Sequence, residues 1–467
     1  MLTAQQKARG EPGMKKWQLI YDGVTSEKVR FGLSQISDVI FSYAGYKAEI
    51  RTEETEHNAI VLGLIPDGTE LPPNGFRLRV EAVTDGRQRV TIDGADETAL
   101  MYGCMEFAGN YLSQAHLSHT VDEPYFFRNL FSNDPLPTID LISSPSIPRR
   151  GLWLWGHTMY DYRGFFENMA RLKLNEIILW NDYAPSNGRE IVAYAHSLGI
   201  RVIWGYSWGW DTKMVLDVSE ESSDAILAKY EAEYAQLGGD GIYFQSFTET
   251  ERETLDGQII AKAAVEFVNR TARKLLSRHP GLLLQFGLHA QSVKNRLEYI
   301  AQLDPRVHIV WENCGDFPYH AMADRTSERE KTHAFTERIL SLRPNQAATG
   351  AVFKSMIQLK WSSFKHQTEA SAIGNADEDT IQRRKKETDP IWHYLQGEWI
   401  AHGDLCLDIV RKWKGRCGEI YALVEDGVFE RDIPLPVALL SEMLWNCDRP
   451  YEEILRTTVE REDVTLK

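Results

Sequence analysis

The chain has 467 residues, of which 43% are hydrophobic and 25% are charged, a balance typical of folded globular proteins. Asp and Glu outnumber Lys and Arg by 67 to 52, giving a net charge of −15. This charge argues against nucleic acid as the partner and against adhesion to anionic membranes, since both interactions need a basic face. The sequence contains no run of about 18 apolar residues that would span a bilayer. The first 15 residues lack the apolar core of a signal peptide, so we expect a cytoplasmic protein.

Residues 15–115 are expected to form a small α+β domain. Asp85-Gly86 is a hairpin signal between two alternating segments, which predicts an antiparallel sheet. Residues 116–148 are polar and contain five prolines, which suits a linker. The predicted strands are 17–21, 59–63, 75–83 and 89–93, and the predicted helices are 26–44 and 97–112.

From Arg149 the pattern changes to short apolar strands that alternate with helices. Seven such repeats without a Gly-rich nucleotide loop favour a (β/α)8 barrel over a doubly wound sheet, and we place this barrel at 149–365. The eighth strand is either irregular or near Leu359–Phe364. Residues 366–467 are expected to be a helical C-terminal region, with 370–388 as a solvated loop or lid. The predicted barrel strands are 151–155, 176–180, 201–206, 241–247, 282–287, 307–311 and 347–356.

Two glutamates stand out at the predicted rim of the barrel, where active sites of this fold are built. Glu249 follows the fourth strand and Glu312 follows the sixth. Hydrolysis of a glycosidic bond needs one carboxylic acid to protonate the leaving oxygen and a second carboxylate as nucleophile or base. We therefore predict Glu249 as the general acid and Glu312 as the second carboxylate. Trp311 beside Glu312 is expected to desolvate a neighbouring carboxyl.

The tryptophans suggest a carbohydrate ligand, because flat indole faces stack on the C–H faces of sugar rings. Seven of the 13 Trp fall between 153 and 311, several of them directly after predicted strands. Asp182 and Asp316 are the substitutes if Glu312 binds a sugar hydroxyl. The predicted substrate-binding residues are Trp155, His157, Asn181, Asp182, Trp208, Trp210, His289, Trp311, Asp316 and Tyr319.

No cofactor is expected. The sequence has no P-loop and no G-x-S-x-G elbow. The place after the first barrel strand reads Trp155-Gly-His157 rather than the H-x-H of barrel metal hydrolases, which argues against a catalytic metal. The five cysteines show no CxxC spacing and are expected to be buried free thiols.

Three segments resemble glycoside hydrolases of the family 20 hexosaminidase and α-glucuronidase type. They are Phe76–Leu112, the run from Arg149-Arg-Gly-Leu-Trp through Phe165–Trp180 to Trp204, and Leu440–Val464. The resemblance implies a hexosaminidase-like α+β domain followed by a TIM-type barrel. It also implies an Asp-Glu pair after the fourth strand, but this chain reads Thr248-Glu249 there, which disfavours a substrate-assisted mechanism. In the α-glucuronidases a base follows the sixth strand, as Glu312 does, and this similarity favours inversion of configuration.

The sequence thus predicts a glycoside hydrolase that cleaves an O-glycosidic bond in a small oligosaccharide or glycoside. Two alternatives stay open: a catalytically silent sugar-binding protein of the same fold, and a barrel enzyme of another class, such as a lyase, an isomerase or a metal hydrolase. The sequence does not specify the sugar, the anomer or the oligomeric state.

Overall fold

The computed structural model divides into two compact units. The first comprises Met1–Pro145 with Glu460–Glu462, and the second comprises Ser146–Val459 with Asp463–Lys467. No helix in the described parts of the chain is long and apolar enough to cross a membrane. The structure describes residues 16–44, 46–65, 71–83, 86–112, 136–208, 217–245, 248, 252–255, 257–289, 292–312, 329–343, 346–357, 364–425 and 428–467.

The first unit is a six-stranded sheet covered by two helices. Its strand order is β2-β1-β3-β5-β4-β6, in which β1, β2, β3 and β5 run parallel while β4 is antiparallel to both of its neighbours. Its strands are β1 (Trp17–Ile20), β2 (Ile50–Arg51), β3 (Asn58–Leu64), β4 (Phe76–Ala82), β5 (Gln88–Gly94) and β6 (Ile139–Ser143), and its helices are α1 (Glu27–Ala44) and α2 (Glu97–Glu106).

Two expectations for this unit are corrected. The sheet is mixed rather than antiparallel, because α1 carries the chain across the sheet between β1 and β3, a connection that leaves these strands parallel. Only β4 and β5 form the hairpin that was expected around Gly86. The segment expected to be a linker contributes an edge strand, β6, which pairs with β4.

The second unit is a closed barrel of eight parallel strands, which confirms the predicted fold class. The eighth strand is Glu419–Val424 and not the region near Leu359–Phe364; it pairs with the seventh strand on one side and the first on the other. The barrel therefore closes through the C-terminal region, which was expected to be mostly helical. In barrel order the strands are β7 (Arg149–Trp155), β8 (Glu176–Trp180), β9 (Arg201–Gly205), β10 (Gly241–Gln245), β13 (Leu283–Leu288), β14 (Val307–Glu312), β15 (Thr349–Ile357) and β16 (Glu419–Val424), and a small hairpin, β11 (Thr254–Leu255) and β12 (Gln258–Ile259), follows β10.

The longest helix, α9 (Glu378–Trp413), begins inside the segment that was expected to be a loop. The Asp377 side chain caps it by accepting a hydrogen bond from Thr380 N. The other elements of this unit are α3 (Tyr162–Arg171), α4 (Gly188–Ser197), α5 (Glu220–Lys229), α6 (Ile260–Arg278), α7 (Leu297–Ile300), α8 (Arg329–Leu340), α10 (Leu435–Trp445), α11 (Tyr451–Val459), β17 (Ile433–Pro434) and β18 (Val464–Thr465).

Large aromatic side chains fill the barrel lumen. Trp153, Trp155, Trp180 and Tyr243 form one buried cluster, in which the Trp153 and Trp180 rings stack 6.0 Å apart. Side chains alternate between the lumen and the outer helices along each strand. Burial of each such ring stabilises the barrel by about 1.5–3 kcal/mol. Because these side chains fill the lumen, only the layer at the carboxyl ends of the strands, which we call the upper layer, is available for chemistry.

Candidate active site

The upper layer of the lumen holds a carboxylate, Glu312, at the last position of β14. Its residue is 2% exposed. His289 Nε2 lies 2.9 Å from Glu312 Oε2, and Lys354 Nζ contacts the same oxygen. The Tyr243 hydroxyl donates a hydrogen bond to Glu312 Oε1. Four consecutive barrel strands, β10, β13, β14 and β15, therefore bring their side chains to one carboxyl group at the carboxyl end of the barrel.

The charges around Glu312 determine its protonation state. Burial raises the pKa of this carboxyl, but the opposing effects of His289 and Lys354 are larger and leave the pKa well below its ordinary value. Glu312 is thus a carboxylate at neutral pH. The expectation that Trp311 would desolvate a neighbouring carboxyl and so favour its neutral form is corrected for Glu312, because His289 and Lys354 favour the carboxylate.

Trp155 lies in the lumen, at the end of the first barrel strand. Its ring is 6% exposed and packs edge-on against Trp180, at 5.7 Å between ring centroids. Asn181 follows β8 and its Oδ1 has no hydrogen-bond partner within the described part of the chain. Gly156 makes room for this amide, because a β-carbon there would lie 2.0 Å from Asn181 Oδ1.

Residues 364–376, which we call the strap, lie along the segments that follow the first two barrel strands. The carboxylate of Asp182 holds its beginning, with Oδ1 3.0 Å from His366 Nδ1 and Oδ2 accepting from Gln367 N at 2.7 Å. Further along, Gly374 N donates to Met159 O. Asp182 therefore anchors the strap through both oxygens, a role different from the predicted binding of sugar hydroxyls.

Phe364 of the strap covers the aromatic part of the upper layer. Its ring lies 4.7 Å from that of Trp155 and 5.4 Å from that of His157. His157 is only partly buried and stands beside Trp155. The predicted residues Trp155 and His157 thus come together under Phe364, which the sequence did not single out.

Two of the predicted sugar-stacking tryptophans lie outside the lumen. The Trp208 ring is 1% exposed and stacks on Phe244, 4.0 Å away, on the outer side of β10. Trp311 points outward from β14 and packs between Phe335 and Trp413 of the surrounding helices. These placements correct the prediction that Trp208 and Trp311 bind substrate: both rings belong to the packing around the outside of the strands.

Four predicted site residues, namely Glu249, Trp210, Asp316 and Tyr319, lie outside the described residues. Thr248, the sequence neighbour of Glu249, is described and fully buried. Its hydroxyl accepts a hydrogen bond from His289 N at 3.1 Å, and its carbonyl accepts from Ser292 Oγ at 2.9 Å. The end of the fourth strand is thereby tied to the histidine that contacts Glu312.

Sequence reasoning did not assign Tyr243 or Lys354 to the site. Lys354 lies within the predicted seventh strand, and nothing in the sequence showed that it pairs with Glu312. Tyr243 was hidden in an apolar strand, and only the alternation of side chains would have placed its hydroxyl in the lumen. Within the described residues, no group of three or more His, Cys, Asp or Glu is arranged to hold a metal ion.

The fold is that of a (β/α)8 barrel preceded by an α+β unit. Among solved structures it is similar to a GH20 β-N-acetylhexosaminidase from Streptomyces coelicolor, with 12% identity, a TM-score of 0.55, and 97% of this chain and 93% of that chain covered. It is also similar to a GH138 enzyme targeting pectin rhamnogalacturonan II, at 14% identity and TM-score 0.53, covering 94% of this chain and 64% of that one. A GH115 4-O-methyl-α-glucuronidase with specificity for decorated arabinogalactans matches at 15% identity and TM-score 0.54, covering 96% of this chain and 59% of that one.

At these identities the similarity establishes the fold, and it confirms the structural resemblance expected from the sequence. No protein-family model matches the chain. No curated protein matches it either.

Proposed function

We propose that this protein is a glycoside hydrolase that cleaves an O-glycosidic bond in a small oligosaccharide or glycoside. The observation that carries the proposal is Glu312, an ionised carboxylate at the carboxyl end of the sixth strand in a barrel whose solved neighbours are glycoside hydrolases. Glu312 supplies the negative charge that a sugar developing oxocarbenium character requires.

Glu249 is the proposed general acid. It follows Thr248, which is hydrogen-bonded to His289, and His289 in turn contacts Glu312. Proton donation needs a carboxyl that is neutral before the bond breaks. Glu312 does not meet that requirement, so the acid role falls to a different residue. Trp155, His157 and Asn181 are proposed to contact the sugar.

The experiment is a panel of chromogenic glycosides, followed by an alkyl glycoside or oligosaccharide of the sugar that reacts. The second substrate is needed because a poor leaving group depends on the general acid. We expect Glu249→Gln to lower turnover of this substrate about 10²–10⁴-fold. Glu369→Gln, at an exposed position on the strap, is the matched control and should be unchanged. NMR of the fresh product should show inverted configuration at the anomeric carbon. Full activity of Glu249→Gln on the substrate with the poor leaving group would show that Glu249 is not the general acid.

A catalytically silent sugar-binding protein is the second candidate, and one observation favours it. Both oxygens of Glu312 are engaged by Tyr243, His289 and Lys354, and the carboxylate is almost fully buried. A binder would show heat on titration with mono- or oligosaccharides while no glycoside in the panel is hydrolysed. Hydrolysis that depends on Glu249 would reject this candidate.

A further inference from the structure

The partners of Glu312 differ in what they contribute. Tyr243 is neutral and donates to Oε1 only. His289 and Lys354 both meet Oε2, and Lys354 Nζ lies 3.4 Å from His289 Nε2. The Lys354 side chain is 18% exposed whereas His289 is 1% exposed. An ammonium group is ordinarily a cation throughout the neutral range, whereas the charge of an imidazole changes within it. Lys354 is therefore the main permanent positive charge beside the carboxylate.

The geometry around Glu312 makes this charge essential. The described titratable groups in contact with Glu312 are Tyr243 from β10, His289 from the end of β13 and Lys354 from β15. A carboxyl this deeply buried beside neutral groups alone would hold its proton, since desolvation disfavours the charged form. His289 and Lys354 at contact distance together reverse that preference. Of the two, the lysine is the residue type that is ordinarily charged at every pH near neutrality.

Resting on the proposed function, we infer that Lys354 is a positioning residue that fixes Glu312 as a permanent carboxylate. Glu312 then serves as the fixed negative charge or proton acceptor of the site and never as the proton donor. Lys354 performs this role through its contact with Glu312 Oε2. A side chain on the seventh strand thus determines that Glu312 is the ionised carboxylate of the site and that a different residue is the proton donor.

The test follows the Glu312 carboxyl directly and does not depend on activity. Protein labelled with ¹³C at the glutamate side-chain carboxyl is titrated by NMR, and the Glu312 signal is identified by its loss in Glu312→Gln. In the wild type this signal should keep its carboxylate shift over the whole pH range in which the protein is folded. In Lys354→Met its titration midpoint should rise by about one to three pH units, the usual effect of a close opposite charge.

Two further variants separate positioning from general damage. Lys354→Arg keeps the charge and should restore the wild-type titration, whereas Lys354→Gln should behave as Lys354→Met and serves if the methionine variant does not fold. Lys274→Met is the matched control, because this lysine pairs with Glu220 and Asp224 at the surface. It should leave the Glu312 signal unchanged.

An identical Glu312 titration in wild type and both neutral Lys354 variants would overturn the inference, as would failure of arginine to restore it. If the protein hydrolyses a glycoside, kcat/KM of Lys354→Met should fall on the acid side at the pH at which the NMR signal of Glu312 titrates in that variant. If no glycoside is hydrolysed, the proposed hydrolase function fails, while the NMR titration still decides whether Lys354 controls Glu312.

Discussion

At the scale of single residues, Gly287 provides the space in which Tyr243 and Glu312 meet. A β-carbon at this position would lie 2.2 Å from Tyr243 Oη and 2.6 Å from Glu312 Oε1, well inside van der Waals contact. Gly287→Ala should push the two groups apart and weaken a buried charge-assisted hydrogen bond. We expect a loss of about 1–3 kcal/mol in the free energy of unfolding, measured by urea titration.

The same strand region offers a matched control for this substitution. Gly281 lies just before β13, and a β-carbon there would meet no described atom within 4 Å. Gly281→Ala should change the free energy of unfolding by no more than about 0.5 kcal/mol. Equal effects of the two alanines would show that the close approach at Gly287 is tolerated by a shift of its neighbours.

Glu430 is a second buried carboxyl with a different protonation state. Burial raises its pKa to about 7; the backbone N–H groups of Tyr160 and Asp161, which donate to Oε1, oppose this rise, and the Asp161 carboxylate adds to it. The folded state therefore favours the neutral acid. The stability that the neutral Glu430 carboxyl contributes is complete below about 4.3, the pKa of a glutamate in the unfolded chain, and it is lost as the pH rises through 7.

Glu430→Gln keeps an oxygen to accept those N–H groups and stays neutral at every pH. Relative to the wild type, the variant should gain stability as the pH rises from about 5 to 8, by an amount on the order of 3 kcal/mol. Thermal melting at several pH values checks this, with the exposed Glu369→Gln as control. A difference in Tm between variant and wild type that does not change with pH would contradict the assignment.

At the scale of elements, the strap determines how much of the aromatic layer meets solvent. Phe364 lies on Trp155, and Asp182 holds His366 and Gln367 beside it. Phe364→Ala should uncover Trp155 without loss of fold, because Phe364 is itself only partly buried. We expect more tryptophan fluorescence to become quenchable by acrylamide. The increase should vanish when Trp155→Phe is added; an increase that persists would come from another tryptophan.

Prediction from sequence succeeded for elements whose local pattern decides their structure. Short apolar runs bounded by polar residues gave seven barrel strands, and their order along the chain placed Glu312 at the end of the sixth. Prediction failed where a strand is defined by its pairing with strands that are distant in the sequence. The run that forms β16 is as apolar as the others, but the 36-residue helix α9 separates it from the seventh strand, so no local repeat connects them.

At the site, the alternation of side chains along a strand decides which of two neighbouring residues enters the lumen. Glu312 and Trp311 are adjacent in one strand, so they cannot both face the lumen. Once Glu312 is placed inside, Trp311 must pack outside, as it does on Phe335 and Trp413. The ion pair of Glu312 with Lys354 could not be read in this way, because residues from different strands meet only through the register of the closed barrel.

At the scale of the whole molecule, the eighth strand, β16, closes the barrel and also makes side-chain contacts with strands that are not its neighbours. Besides pairing with β15 and β7, β16 sends Tyr421 and Glu419 into the lower lumen. Gln285 Nε2 donates to the Tyr421 hydroxyl at 2.6 Å and to Glu419 Oε2 at 3.1 Å, and Tyr421 bonds to Glu176. This buried polar network joins β16 to β8 and β13, so the barrel depends on residues that lie far beyond its first seven strands.

A fragment ending at residue 365, the boundary that the sequence favours, should therefore fail to fold. It lacks β16, which leaves β7 and β15 with unpaired edges and removes the hydrogen bonds that Tyr421 and Glu419 make to Gln285 and Glu176 in the lumen, a combination that promotes aggregation. We expect no cooperative thermal transition by circular dichroism and recovery mainly in the insoluble fraction. Co-expression of a second fragment covering 366–467 should restore a soluble complex with a cooperative transition, because that fragment supplies β16 and α9. A cooperative transition in the 1–365 fragment alone would show that seven strands suffice for a stable barrel.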